Sequence, residues 1–231
     1  MSTIDRPQPR VLPSLEAGQR LDQRTFHEQY AVMPEGKWFE LIGGVVYWVP
    51  PTFEDEGCLK ATLGGWTAHY QRFTPGVRGV HNVSTILGDD SEVQPDIQLR
   101  LLEKTGGRAR VEGGYVVGPP ELVVEVGQSS RSHDLGPKKA DYEKAGVLEY
   151  LFVGIEPAEV RWFVRREGRY EEMPPDDDGI YRSEVFPGLW LDPEALFSEN
   201  LNGLIAALER GLATPEHARF IEELAARAGR R

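Results

Sequence analysis

Four polar groups of this chain have the types and setting for phosphate chemistry: Glu40 in ELIGG, Asp96 in QPDI, Glu125 in ELVVEV and Lys138 in DLGPKKADY. Glu125 is the most telling. Leu122, Val123, Val124 and Val126 around it mark a strand buried on both faces, where an ionised carboxylate without a partner is strongly unfavourable. A divalent cation shared with Asp96 would compensate that charge, and Lys138 would supply the positive group that phosphate chemistry uses. Taken singly, each residue also has an ordinary structural reading: Asp96 after Pro95 as a turn cap, Glu40 as an exposed hairpin carboxylate, Lys138 as a solvated lysine near a helix start. The functional reading rests on their conjunction.

Those groups must be positioned by the elements between them. Pro7, Pro9 and Pro13 predict an extended leader over 1–24, followed by a short helix from the capping-box pair Thr25 and Glu28 to Met33. Residues 38–42 and 45–49 read as strands of a hairpin turned by Gly43-Gly44. After Pro50-Pro51, the residues Leu59, Leu63, Trp66, Tyr70 and Phe73 recur at spacings of four and three, which predicts one helix face packed on a sheet. Strands are expected around 79–83, 95–101 and 121–126, with an exposed, mobile, Gly-rich and charged loop between the last two. Asp134 is expected to cap a helix to about Ala145, Gly146 to end it, and 148–153 to form the next strand, together a crossover unit. Residues 160–164, 169–172 and 180–185 read as a polar antiparallel extension with a turn over 174–179, which is expected to be scaffold. Helices are predicted near 193–197, 201–210 and 215–228, the last opened by Thr214-Pro215 and carrying a face of His217, Phe220, Leu224 and Ala228 that would dock on the core, the first expectation, or on another subunit.

The segments QPDI, PPELVVEV and DLGPKKADYEKAGVLEYLFV, with ELIGGVV upstream and FPGLWL downstream, resemble a widespread bacterial family of restriction endonuclease-like proteins within the PD-(D/E)XK nuclease superfamily, over roughly 25–197. The resemblance implies an α/β fold of mixed α+β kind: a restriction-endonuclease-like core with a mixed central β-sheet flanked by helices, here with an antiparallel extension and C-terminal helices. It implies a domain over 25–197, with a leader over 1–24 and a helical extension over 198–231. The activity it implies is endonucleolytic hydrolysis of nucleic-acid phosphodiester bonds with Mg²⁺ or Mn²⁺. DNA is the substrate by superfamily analogy, and a homodimer follows if both strands of a duplex are cut.

Carried over by matching positions, Asp96 and Glu125 would be metal ligands and Glu40 an additional acid at the metal centre. The superfamily's usual lysine position, two residues after the second acid, is Gly127 here; the family pattern instead places a lysine at the start of the next helix, matching Lys138, with Lys139 as the substitute. Tyr142, four residues after Lys138 and on the same helical face, matches as a supporting or substrate-binding residue. The chain departs from the family pattern at Gly127-Gln128-Ser129, at Gly154 in place of a common aspartate, and at Cys58 in place of a frequent histidine.

Composition narrows the alternatives. With 231 residues, 40% hydrophobic and 27% charged, the chain has the makeup of a globular protein built on one core domain. A net charge of −11 argues against a general nucleic-acid coat protein, although local basic groups such as Arg100, Lys104, Arg108 and Arg110 follow Asp96. Cys58 stands alone, so intrachain disulfides and four-cysteine zinc sites are excluded and a reducing cytoplasm is expected. No membrane span or export signal is expected. His27, His69, His81, His133 and His217 show no HExxH spacing, and neither a GxSxG elbow nor a GxxxxGK[ST] loop is present. Paired carboxylates would also suit a glycosidase, but no sugar-binding context accompanies them. The competing reading is a binding or interaction module that keeps the nuclease fold without cleaving.

Overall fold

Gly43 and Gly44 both take positive φ (56° and 77°), the backbone that a two-residue hairpin turn demands, and they join the first two strands as the sequence predicts. In the computed structural model, which describes residues 14–34, 36–128 and 130–229, this hairpin is one of several. In chain order the elements are α1 (Gln23–Tyr30), β1 (Phe39–Ile42), β2 (Val45–Trp48), α2 (Glu54–Phe73), β3 (Val77–His81), β4 (Thr85–Gly88), β5 (Ser91–Val93) and β6 (Ile97–Leu101). There follow β7 (Arg110–Glu112), β8 (Tyr115–Val117), β9 (Leu122–Gly127), α3 (Arg131–His133), α4 (Lys139–Ala145), β10 (Glu149–Gly154), β11 (Glu159–Arg166) and β12 (Arg169–Met173). Last come β13 (Tyr181–Arg182), β14 (Trp190–Leu191), α5 (Pro193–Phe197), α6 (Leu201–Leu212) and α7 (Pro215–Ala228).

The strands form two mixed six-stranded sheets, ordered β2-β1-β5-β4-β8-β7 and β12-β11-β10-β9-β6-β3, with β13 and β14 as a separate pair. The mixed α/β architecture is the one expected, but the strands are divided between two sheets. In the second sheet β9 and β10 run parallel, joined by the segment that carries α3 and α4, and this is the predicted crossover. Both strands are buried along their whole length, as their near-continuous apolar runs require. Leu63, Trp66 and Tyr70 of α2 are fully buried against this sheet, sharing a core with Leu99, Val124 and Leu151. Phe73, at the end of the same stripe and the last residue of the helix, is 44% exposed.

Several expectations are corrected. α1 is capped by the carboxylate of Asp22, which accepts from Thr25 N at 2.7 Å; the pattern Thr25/Glu28 is three residues too late, and Glu28 instead pairs with Arg24. Pro7, Pro9 and Pro13 lie outside the described residues, while Leu15 is buried and Arg20 bridges to Val45, so the end of the leader docks on β2. The loop between β6 and β9 is not free: β7 and β8 form a hairpin about Gly113-Gly114, and β8 pairs in parallel with β4. Those strands have three residues each, too few to show an alternation. β13 pairs with β14 and not with the β11–β12 extension. The helix expected from Asp134 begins only at Lys139, after a wide turn kinked at Gly136 and Pro137.

At the far end, α6 and α7 contribute Leu204, Leu208, Phe220 and Leu224 to the core of the second sheet. His217 is buried, with Nδ1 bound to Leu212 O at 2.9 Å and Nε2 to Thr74 Oγ1 at 2.9 Å, so the predicted docking face packs on the core. Glu149 opens β10 fully buried; its carboxylate accepts from Ser183 Oγ (2.7 Å), Glu184 N (2.7 Å) and Val185 N (3.0 Å), which ties the β13 region to the sheet.

Candidate active site

Glu40 sits in β1 directly opposite Tyr47 of β2, Asp96 just before β6, and Glu125 near the end of β9. Ile97 of β6 pairs with Val124 of β9, so both of these acids come to the same sheet end. Lys138 is delivered by the kinked turn before α4: Gly136 takes a non-helical conformation and Pro137 cannot continue a regular ladder, and the next residue points inward. The structure thus brings all four together on one cavity of about 520 Å³, lined by Glu40, Asp96, Glu125 and Lys138 and joined by Lys60 and Asp134.

Lys138 is buried between two acids, with Nζ 3.1 Å from Glu40 Oε2 and 3.0 Å from Glu125 Oε1. Tyr142 donates its hydroxyl to Glu125 Oε1 at 2.7 Å, and Gln94 N donates to Glu40 Oε1 at 2.7 Å. Asp96 accepts from Val126 N at 2.8 Å through Oδ2, while Oδ1 lies 2.8 Å from Lys60 Nζ. Lys60 is held in turn by Glu56, four residues earlier on α2, at 2.6 Å. Lys139 points away from the cavity: its ammonium lies 3.9 Å from the ring centre of Phe163, so it does not substitute for Lys138.

Burial sets the electrostatics. It pushes the Glu125 carboxyl well above the ordinary carboxylate range; Lys138 pulls it back, and Asp96, Asp134 and Glu40 push it further up. Burial alone would lower Lys138, but Glu125, Glu40, Asp134 and Asp96 together outweigh it and hold the ammonium well above its usual value. Lys138 is therefore the fixed cation of the site, and the proton in question is the one on Glu125. Asp134 is raised to about 6, mainly by burial and against the pull of Lys138. Tyr142 is driven well above its ordinary value by burial and then by Glu125, so its hydroxyl remains a donor. Replacing Tyr142 with Phe removes that donor from a buried carboxylate. The expected loss of stability is about 1–3 kcal/mol by urea denaturation, and unchanged stability would mean the contact does not hold Glu125.

Lys60, Glu56 and Asp134 were missed by the sequence reading. Glu56 and Lys60 have the spacing of an ordinary surface ion pair on a helix, and only the approach of α2 to Asp96 gives Lys60 its place. Asp134 has the residue type and position of a helix cap, yet its carboxylate is buried in the cavity wall. Two of the departures from the family pattern, Gly127 and Gly154, stand where the backbone is closely approached by neighbouring atoms. A Cβ on Gly127 would collide with Ser130 Oγ and come within 2.6 Å of Asp134 Oδ2, so a side chain there would require both of these side chains to move. A Cβ on Gly154 would come within 2.8 Å of Glu159 Cγ and 3.0 Å of Pro157 O. Cys58 is exposed in the first half of α2 and does not line the cavity, and Ser129 lies outside the described residues.

Among the described residues, no three His, Cys, Asp or Glu side chains are already gathered as a metal cage. The donor chemistry nevertheless fits a hard divalent cation. Five carboxyls (Glu40, Glu56, Asp96, Glu125, Asp134) face two ammoniums (Lys60, Lys138) in one cavity, an excess of oxygen ligands and of negative charge. Mg²⁺ is typically held by only one or two carboxylates and keeps several waters, so a full protein cage is not required.

No curated protein matches the chain. A crystal structure of a "putative nuclease belonging to DUF820" from Anabaena variabilis has the same fold, with a TM-score of 0.57 at 16% identity, covering 74% of this chain and 96% of that one. A family profile matches residues 24–194, a span that contains all four groups, and the chain belongs to that family, Uma2, described as "Putative restriction endonuclease".

Proposed function

We propose that this protein is an endonuclease that hydrolyses nucleic-acid phosphodiester bonds with a divalent cation, Mg²⁺ or Mn²⁺, held by Asp96 and Glu125, with Glu40 as a further acid and the Val126 carbonyl as a neighbouring oxygen. The observation that carries the reading is Lys138, an ammonium buried between Glu40 and Glu125 in the cavity that also holds Asp96. When bound, such a cation supplies Lewis-acid polarisation of the phosphoryl oxygen and a more acidic water.

The chain's own residues do the rest. Lys138 stays protonated and offers its charge to the equatorial phosphoryl oxygens, where negative charge grows in the transition state. Val126 N and Lys60 fix the two oxygens of Asp96, and Tyr142 fixes one oxygen of Glu125, so both carboxylates are oriented before substrate arrives. Glu40, anchored by Gln94 N, is placed to orient a water through its other oxygen once Lys138 turns to substrate. DNA is the substrate class favoured by the superfamily, and a homodimer is needed only if both strands of an intact duplex are cut. The single, exposed cysteine suits a reducing cytoplasm, and among the described residues no helix is long and apolar enough to cross a membrane.

The test is cleavage of single-stranded DNA, duplex DNA and RNA in Mg²⁺ and in Mn²⁺, with wild type and Asp96→Ala prepared identically. Cutting that EDTA and Asp96→Ala both abolish is the expected result. Equal activity in the two preparations would point to a contaminating nuclease. Silence across all substrates would favour the non-cleaving module, the reading to which the complete pairing of Asp96 and Lys138 within the protein lends support.

A further inference from the structure

The cavity has an aromatic mouth that the chemistry above leaves unused. Trp38 stands two residues before Glu40, and Val49 N donates to Trp38 O at 2.9 Å, so the register of β1 and β2 continues past the strand ends. Side chains two apart on a strand share a face, as do residues directly opposite on paired strands. Trp38, Glu40 and Tyr47 therefore present one face, and all three line the cavity. Trp38 is nevertheless 56% exposed, an unusual place for the largest apolar side chain. Further in, Tyr47 is fixed against His133, ring centres 4.4 Å apart. The acids lie at the bottom of this slot: Glu40 is 4% exposed and Glu125 3%.

We propose that Trp38 is a stacking platform for an unpaired nucleobase, and hence that the substrate is single-stranded nucleic acid; the proposal rests on the nuclease reading above. Three observations converge on it. A recessed floor favours a strand free to lower one nucleotide into the cavity, which a base-paired strand does only by unstacking. The two ammoniums that line the cavity, Lys60 and Lys138, are both paired with carboxylates, so phosphate neutralisation has little to draw on there, whereas stacking on an aromatic face needs no positive surface. The platform is also continuous with the site, on the same strand and the same face as Glu40.

The experiment is fluorescence anisotropy with labelled dT12, rU12, a 12-base-pair DNA duplex and an abasic 12-mer carrying the same phosphates, each in Ca²⁺ and again in EDTA. The proteins are wild type, Trp38→Ala, Trp38→Phe and, as an exposed aromatic away from the cavity, Phe73→Ala. Wild type is expected to bind at least one single strand about ten-fold or more tighter than the duplex and the abasic strand, and the better of dT12 and rU12 identifies the sugar. Trp38→Ala is expected to lose roughly ten-fold in affinity for that strand, Trp38→Phe to retain most of it, and Phe73→Ala to match wild type. Equal binding by Trp38→Ala, or a preference for duplex or abasic strand, overturns the stacking proposal, and metal-dependent cleavage that Asp96→Ala abolishes would leave the nuclease reading standing. No binding to any oligonucleotide together with no cleavage overturns both and leaves Trp38 as a contact for a protein.

Discussion

Lys138→Met is expected to remove cleavage and to destabilise the metal-free protein, the largest combined effect of any single substitution at the site. Methionine keeps the volume and the unbranched shape, so packing is little disturbed and the charge is what is lost. Glu40 and Glu125 would then face each other in a buried place with no cation between them. Breaking a buried pair by removing one partner costs about 3–5 kcal/mol. Glu125 can lessen the loss by taking a proton, since burial already raises its carboxyl, so the lower end of that range is expected in EDTA at neutral pH. Cleavage should fall by a factor on the order of 10²–10³ or more, the scale on which a positioned donor to transition-state charge acts. Urea denaturation in EDTA and initial cleavage rates in Mn²⁺ check the two parts. A variant that cleaves normally would remove Lys138 from the chemistry, and one with undiminished stability would mean the two ion pairs are not formed in solution.

Acidic solution is expected to stabilise this protein through Glu149, away from the site. Burial raises its carboxyl to about 7 against an ordinary 4.5, in spite of the hydrogen bonds from Ser183, Val185 and Glu184 that favour the ionised form. The folded chain holds this proton more tightly than the unfolded one, so the contribution is complete below about 4.5 and is lost as pH rises through about 7. The difference across that window is on the order of 3 kcal/mol. Asp134, raised to about 6, adds a slope of the same sign, so the informative quantity is a difference between variants. Glu149→Gln should flatten the dependence, gaining on wild type between pH 5 and pH 8.5 by roughly that 3 kcal/mol in urea midpoint experiments. Parallel curves for the two proteins would show that Glu149 is not the titrating group. Glu149→Ala, by contrast, should be less stable at both pH values, because two backbone N–H groups and a serine hydroxyl lose their acceptor.

The site was more legible in the sequence than its surroundings were. Glu125 stood out because a carboxylate inside an all-apolar strand has few explanations, and the structure gives it a buried ammonium and a tyrosine hydroxyl as partners. Lys138 was legible only through the family pattern, since its own neighbours suggest a solvated helix start; the kink at Gly136 and Pro137 that turns it inward leaves no periodic signal. Lys60 was not legible at all, because its role depends on where α2 crosses the sheet and no local spacing encodes that. The long strands β9 and β10 and the α2 stripe declared themselves by burial pattern, whereas β4, β5, β7 and β8 form two short hairpins that only the β4–β8 and β1–β5 pairings place in the sheet, and they are too short to carry a period. Asp22 and Asp134 show the ambiguity of one residue type: the first caps a helix and the second is buried in a cavity wall, and the sequence around each would allow either.

The central claim is that Asp96 and Glu125 hold a divalent cation beside Lys138, and calorimetric titration of the metal-free protein with Mn²⁺ tests it most directly. Wild type is expected to bind Mn²⁺ saturably, and the neutral, near-isosteric variants Asp96→Asn and Glu125→Gln to lose that binding while remaining folded by circular dichroism. No heat of binding in the wild type, or an isotherm that both substitutions leave unchanged, would contradict the account.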